Sequence, residues 1–277
     1  NGAITASSAG ALTVTDVASG TNGNIVLSTS SGDITGLATV NAGSGNVTLN
    51  SAGAIVDDGS SGTVITGGVL TADAAGAITI DSTVTSANIS TSAAGAVDLD
   101  ETDAITLTDV DTNDGSITVD AGGLITATDV VASGGSGDSV TLSTTTGGAV
   151  ATLVTGADAV SITANAGDIT IGSVTATAGT LGVTATAGSI NDAADDNTAD
   201  FTAGGLITLT AQDEIGVLGS GSDLDLEFAA GSSVNVSTTG TGAIDLDGLG
   251  ALTLSDVDTV NGAITASSAG ALTVTDV

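Results

Sequence analysis

Lysine, arginine, histidine, cysteine, proline, methionine, tryptophan and tyrosine are all missing from this 277-residue sequence. Without Lys or Arg nothing can neutralise phosphates, which excludes nucleic acid and anionic membrane surfaces as partners. With no His, Lys, Arg, Cys or Tyr, the usual nucleophile activators and general bases are gone, and only carboxylates remain. Close carboxylate pairs exist, such as Asp57 with Asp58 and Asp195 with Asp196. Such pairs can hydrolyse glycosides, but no cation or large aromatic is present to clamp a sugar. The chain is therefore not expected to be an enzyme. No apolar run approaches the ~20 residues that span a bilayer, so no membrane insertion is expected. With no Met anywhere, the chain is expected to be an internal or processed piece, with any signal peptide outside it. Lacking cysteine, it has no disulfides, and an acidic chain of this kind suits a calcium-rich exterior.

What is present is small, β-branched and acidic. Hydrophobic residues make up 41% of the chain and are almost entirely Ala, Val, Ile and Leu, with Phe201 and Phe228 the only aromatics. That composition is too apolar for a disordered acidic tail and too small-chained for a bulky globular core. It suits a narrow core stacked from side chains that pack on a pleated surface. Thirty-two Asp and Glu with no cationic side chain give a formal charge of −32, so cations are the natural counterparties.

Repeats occur at two scales. Residues 1–17 read NGAITASSAGALTVTDV, and residues 261–277 are identical at every position. The chain thus reads as one unit, residues 1–260, followed by residues 261–277 as the start of the next copy within the same continuous domain. Inside the unit a Gly-led motif recurs: GAIT at Gly2, GNIV at Gly23, GNVT at Gly45, GSIT at Gly115 and GAID at Gly242. A second Gly or Asp often follows eight residues later, as Gly10 follows Gly2 and Gly123 follows Gly115. In GALTVTDV, Leu12 and Val14 alternate with Thr13 and Thr15, the period of a strand with one apolar face. The glycines are expected at corners, where positive φ carries no Cβ strain. The predicted fold is all-β, a single parallel β-helix (β-solenoid) of about 20 residues per rung, with no helix. Thirteen rungs would fit the unit, ~60 Å of fibre at ~4.8 Å per rung. Leu12, Val14, Ile117 and Val119 are expected to point inward. The spacing is ragged over 53–95, and the polar string NDAADDNTAD at 191–200 is expected to bulge as a loop, with a helical cap as the alternative.

The strings GAITAS at Gly2, DAITLTD at Asp103, GSITVDAGG at Gly115 and GLITLTA at Gly205 resemble the repeat regions of filamentous-haemagglutinin-type adhesins and other giant bacterial surface proteins. The resemblance covers essentially the whole chain. It implies a right-handed parallel β-helix, secreted to the cell surface and used for attachment or as a stalk. The chain departs from those repeats in lacking every cationic and nearly every aromatic residue, which argues against a carbohydrate or receptor platform.

One local constellation imitates a calcium loop: Asp109, Asp111, Asn113, Asp114 and Asp120 in DVDTNDGSITVD. Oxygen ligands at alternate positions and an acid at the twelfth are what a calcium loop supplies. Gly115 stands one place later than an EF-hand requires, and flanking helices are not expected. Ca2+ is the candidate cofactor, and a calcium-dependent rise in melting temperature beyond a matched sodium chloride control is expected. Other acidic clusters are Asp98, Asp100, Glu101 and Asp103; Asp192, Asp195, Asp196 and Asp200; and Asp256 with Asp258. The competing reading for all of them is a solvated acidic surface. GGSGDSVTL from Gly134 has the look of a calcium-binding nonapeptide, and Thr pairs such as Thr106 with Thr108 and Thr208 with Thr210 have the look of an ice-binding face. The reading reached from sequence is an extracellular or cell-surface structural fibre (a stalk, sheath or matrix filament). Its expected partners are further copies of itself, end to end, and divalent cations. The alternative is the repeat shaft of an adhesin.

Overall fold

The computed structural model describes every residue except Asn1, Ser61, Thr63, Asp195, 217–222 and Ala230. The described residues form one parallel β-solenoid of about 12 turns with ~21 residues per turn and no helix. One inward column runs Leu12, Ile34, Ile55, Ile78, Val97, Ile117, Val140, Val160, Leu181, Ile207, Val234, Leu254 and Val274, each residue paired with the next. Twelve turns replace the expected thirteen because two are long: Leu181 to Ile207 takes 26 residues and Ile207 to Val234 takes 27. The string at 191–200 lies inside the first of these. It begins within the strand Ile190–Asp192, and its described residues beyond Asp192 form no strand or helix.

Alternation sorts the side chains as expected. Val14, Ile117 and Val119 are buried, and Leu12 packs partly buried against the core. The core is one continuous stack of Val, Ile, Leu and Ala, with Phe201 its largest fully buried side chain. The phase of the alternation breaks at one recurrent corner. In Leu37–Val40, Leu107–Val110, Ala127–Val130, Ala151–Val154, Ile171–Val174 and Leu254–Val257, two buried residues flank two outward ones. Such a corner turns the chain without a positive-φ glycine, Gly172 being the one glycine among the six, and the strands Ile105–Asp114 and Leu252–Thr259 run straight through it. The ragged interval 53–95 holds the longest strand, the 17-residue Ile78–Ala94, which is why glycine spacing faded there.

The motif glycines serve a purpose other than the one expected. Of the glycines that open the quoted strand motifs, Gly2, Gly23, Gly45, Gly115 and Gly242, none has a positive φ. Gly2 lies in the first turn, where a Cβ would meet nothing within 4 Å, and the other four lie where the backbone of the previous turn comes close. A Cβ on Gly45 would sit 2.5 Å from the Gly23 carbonyl oxygen, and one on Gly115 2.4 Å from that of Gly95. The residue after the glycine often ties the turns together. The Asn24 side chain accepts from the Asn46 N–H at 3.0 Å, and Asn46 in turn accepts from Val69 at 3.2 Å. Ser116 and Asp168 do the same for Ser139 and Ser189. Corner N–H groups that no strand ladder reaches are thereby satisfied.

The second copy of the repeated sequence continues the ladder. Ile264–Ser268 pairs with Ile244–Gly248, and Leu272–Val274 with Leu252 to Leu254. The column that starts at Leu12 reaches Val274 after 262 residues, whereas the sequence repeats after 260. The second copy therefore stands two residues out of step with the first. An even offset keeps every inward residue inward, where an offset of one would turn the pattern inside out.

Candidate functional site

Acidic side chains gather at three places on the outer surface, each set by how turns stack. The first holds part of the predicted calcium loop. Asp109, Asp111, Asn113 and Asp114 all belong to the strand Ile105–Asp114. An extended strand spaces alternate residues ~6.8 Å apart along a line, so these four do not wrap around one point as loop ligands would. Asp109 and Asp111 flank the inward Val110 and face the same side. Asp109 also accepts from the Asn88 amide at 3.3 Å. Burial, then the charge of Asp109 and a hydrogen bond with it, push the Asp111 carboxyl up to about 6. Asp129 also faces this pair; one of its carboxylate oxygens is buried without a hydrogen-bond partner among the described residues.

Asp120 goes elsewhere. It lies on Ile117–Ala121, in register with Asp100, which is in register with Asp81. These three aspartates stack on consecutive turns along an open groove of about 330 Å³. Glu101 lines the same groove but is only 3% exposed, held by the Ser82 hydroxyl at 2.6 Å and the Val84 N–H at 3.1 Å. Burial is the main cause raising Asp81, Asp100 and Glu101 above the usual carboxylate range; neighbouring aspartates add to it at Asp81 and Asp100.

The third cluster is the tightest, and its core residues were not singled out from sequence. Asp225, on the strand Leu224–Phe228, is in register with Asp247 on Ile244–Gly248. Asp223 precedes that strand two residues before Asp225, so the two point the same way. Carboxylate oxygens of Asp223, Asp225 and Asp247 all lie within 4.8 Å of one another. The irregular stretch after Ile190–Asp192 bears on the same place. Asp200 accepts from the Asp225 N–H at 2.8 Å, and Asp192 and Asp196 add repulsion at Asp225. Burial pushes Asp200 up to about 8 and Asp225 up to about 6, with neighbouring carboxylates adding to both. Asp195, named with this group from sequence, lies outside the described residues. A sequence signal existed: DLDLE at 223–227 and IDLDG at 244–248 are strands with an acid at every outward place. What was invisible is that the two strands are neighbours.

Two other sequence features lie at a corner and on the outer face of the turns. In GGSGDSVTL, Asp138 is buried and accepts from the Gly135 N–H at 2.7 Å, so the string is a corner whose carboxylate is already engaged. Hydroxyl residues do stack outward in two ranks, through Thr118, Thr141 and Ser161 and through Ser143, Thr163, Thr184, Thr210 and Ser237. Gly182, Asn235 and Asp120 interrupt those ranks. No helix among the described residues is long and apolar enough to cross a membrane. No protein-family model, curated protein or solved structure matches the chain.

Proposed function

We propose that the chain is a segment of an extracellular structural fibre, a stalk, sheath or matrix filament in which solenoid units run end to end. The observation that carries this reading is the continuity of the parallel ladder from one copy of the repeated sequence into the next. In such a fibre, unpaired strand edges exist only at the two ends, and those are where another unit docks. The flanks carry dense negative charge with no cationic side chain to answer it, which opposes sideways fusion of fibres. The resemblance of the GSITVDAGG-like strings to filamentous-haemagglutinin-type repeats supports a place at the cell surface. It also supports the second reading, the shaft of an adhesin whose recognition domain lies elsewhere in the same polypeptide.

Proteins of one, two and three tandem units test the fibre. Small-angle scattering should show constant cross-section and a length that grows by ~58 Å per unit, at ~4.8 Å per turn. Compact or branched particles would sink the reading. Antibody labelling of intact source cells should decorate the outside; label confined to lysed cells would refute surface location. A non-repetitive terminal domain that retains adhesion when expressed alone would favour the adhesin over the passive fibre.

A further inference from the structure

The geometry points to a calcium-class divalent-cation site at each of two Asp-Val-Asp corners, Asp109 to Asp111 and Asp256 to Asp258. This does not rest on the fibre reading. Both corners are of the two-outward kind, and each stacks on a preceding turn that runs straight at that place. The ladder therefore slips between Ala87 and Asn88, and again between Val234 and Asn235. The slip sets Asn88 in register with Asp109 and Asn235 in register with Asp256. An aspartate closes each column on the far side. The Val110 N–H donates to the Asp129 carbonyl at 2.9 Å, and the Val257 N–H to that of Asp276 at 3.1 Å. One arrangement, an amide under two stacked aspartates with a third beside them, is thus built twice from distant stretches of chain.

What points to a ligand is a missing hydrogen bond at each place. Among the described residues, two side-chain oxygens are buried without a partner: Asp129 Oδ1 and Asn235 Oδ1. One falls at each corner. A buried acceptor left unpaired is costly, and more so when it is charged. Each of these oxygens belongs to a group set among carboxylates. The Asp129 carboxylate faces Asp111, and Asn235 lines a cleft of about 210 Å³ together with Asp256 and Asp258. A cation answers the unpaired acceptor and its acidic neighbours at once.

The donors are carboxylate and amide oxygens, and the chain contains no His or Cys, a set that suits calcium, magnesium or manganese over softer metals. Calcium is the choice among these because it takes six to eight oxygens in flexible geometry, with water completing the shell. Asp111, Asp256 and Asp258 are exposed, so their side chains are free to turn onto the ion. At the first corner the Asn88 amide donates to Asp109 at 3.3 Å and so orients that ligand. The ligands come from stacked turns rather than from the single strand that also holds Asn113 and Asp114. An ion at such a corner ties it to its neighbour where the ladder slips.

The test is calorimetric titration of the whole chain with calcium chloride in about 0.15 M sodium chloride, where exposed charges are screened beyond ~8 Å. Binding should be saturable, and Asp111→Asn and Asp258→Asn should each weaken one site at least about tenfold. The double variant should bind two ions fewer. Both side chains point outward, so β circular dichroism should not change. Asp100→Asn, from the groove that Asp81 and Asp120 share, should leave the ion count as it is. Asn235→Asp separates a ligand from an amide that only donates a hydrogen bond: the added charge should tighten calcium about tenfold. A calcium response equal to that of matched sodium chloride would overturn the proposal. So would an ion count that the double variant leaves unchanged, which would put the calcium on other acidic clusters, or binding no tighter in Asn235→Asp.

Discussion

At the scale of single residues, the chain holds an excess of one charge next to a core with nowhere to put it. Asp200, 3% exposed, takes the strongest consequence, with a carboxyl raised to about 8 mainly by burial. A carboxylate whose folded pKa exceeds its unfolded ~3.9 binds its proton more tightly in the folded state. Its contribution to stability is therefore complete below about 4 and disappears as pH rises through its folded value. Asp111 and Asp225, raised to about 6, act in the same direction. In chelator, the melting temperature should climb as pH falls from about 8 to about 5. Asp200→Asn keeps an acceptor for the Asp225 N–H and should flatten much of that slope while stabilising the chain at pH 8. A melting temperature that falls over this range would contradict the buried-carboxylate account.

At the scale of strands and corners, contact between turns decides which residue types survive. Gly115 and Gly10 look alike in sequence, since both open a Gly-led strand motif and neither has a positive φ. A Cβ at Gly115 would meet the backbone of the previous turn at 2.4 Å, while one at Gly10 meets nothing within 4 Å. Gly115→Ala should cost ~1–3 kcal/mol as an overpacked contact, whereas Gly10→Ala should be neutral or gain up to ~1 kcal/mol from the unfolded state. Denaturant midpoints separate the two. Equal effects would mean that close approach of turns does not explain the motif glycines. The two-outward corner completes the local rules. Its sequence mark, an apolar residue followed three places later by Val as in LATV, LTDV, ATLV and LSDV, was there to be read. It is hard to recognise because it interrupts the alternation that marks a strand.

At the scale of the molecule, a turn is the unit, and each turn rests only on its neighbours. Excising residues 117–139 would join Ser116 to Val140 and set Val140 beneath Val97, where Ile117 now lies. A solenoid should accept that cut, since stability is close to a sum over turns and their interfaces. The shortened protein should keep its β circular dichroism and lose ~4.8 Å of length. Removing 117–127 instead would leave half a turn without a partner. It should unfold locally, seen as fast amide exchange in Val97–Glu101 and Val140–Thr144. If both cuts behave alike, the turn is not the cooperative unit.

The sequence by itself determined the solenoid, because that fold follows from local physics. Period-two alternation, small aliphatics and glycine at close approaches act within a few residues and recur at every turn. The absence of cationic side chains likewise settled from composition alone that no acid here has a side-chain salt bridge. Which acids meet was decided only by the tertiary structure. Turns range from 19 residues, Ile78 to Val97, to 27, Ile207 to Val234. A fixed spacing therefore cannot say what lies above what. Asp120 looked like the last ligand of the Asp109 loop and instead stacks on Asp100. Asp225 and Asp247, 22 residues apart and unremarked in sequence, became register partners. Asp225 also meets chain of the preceding turn at Asp200, and such contacts depend on the length of the intervening corners, which no local pattern carries.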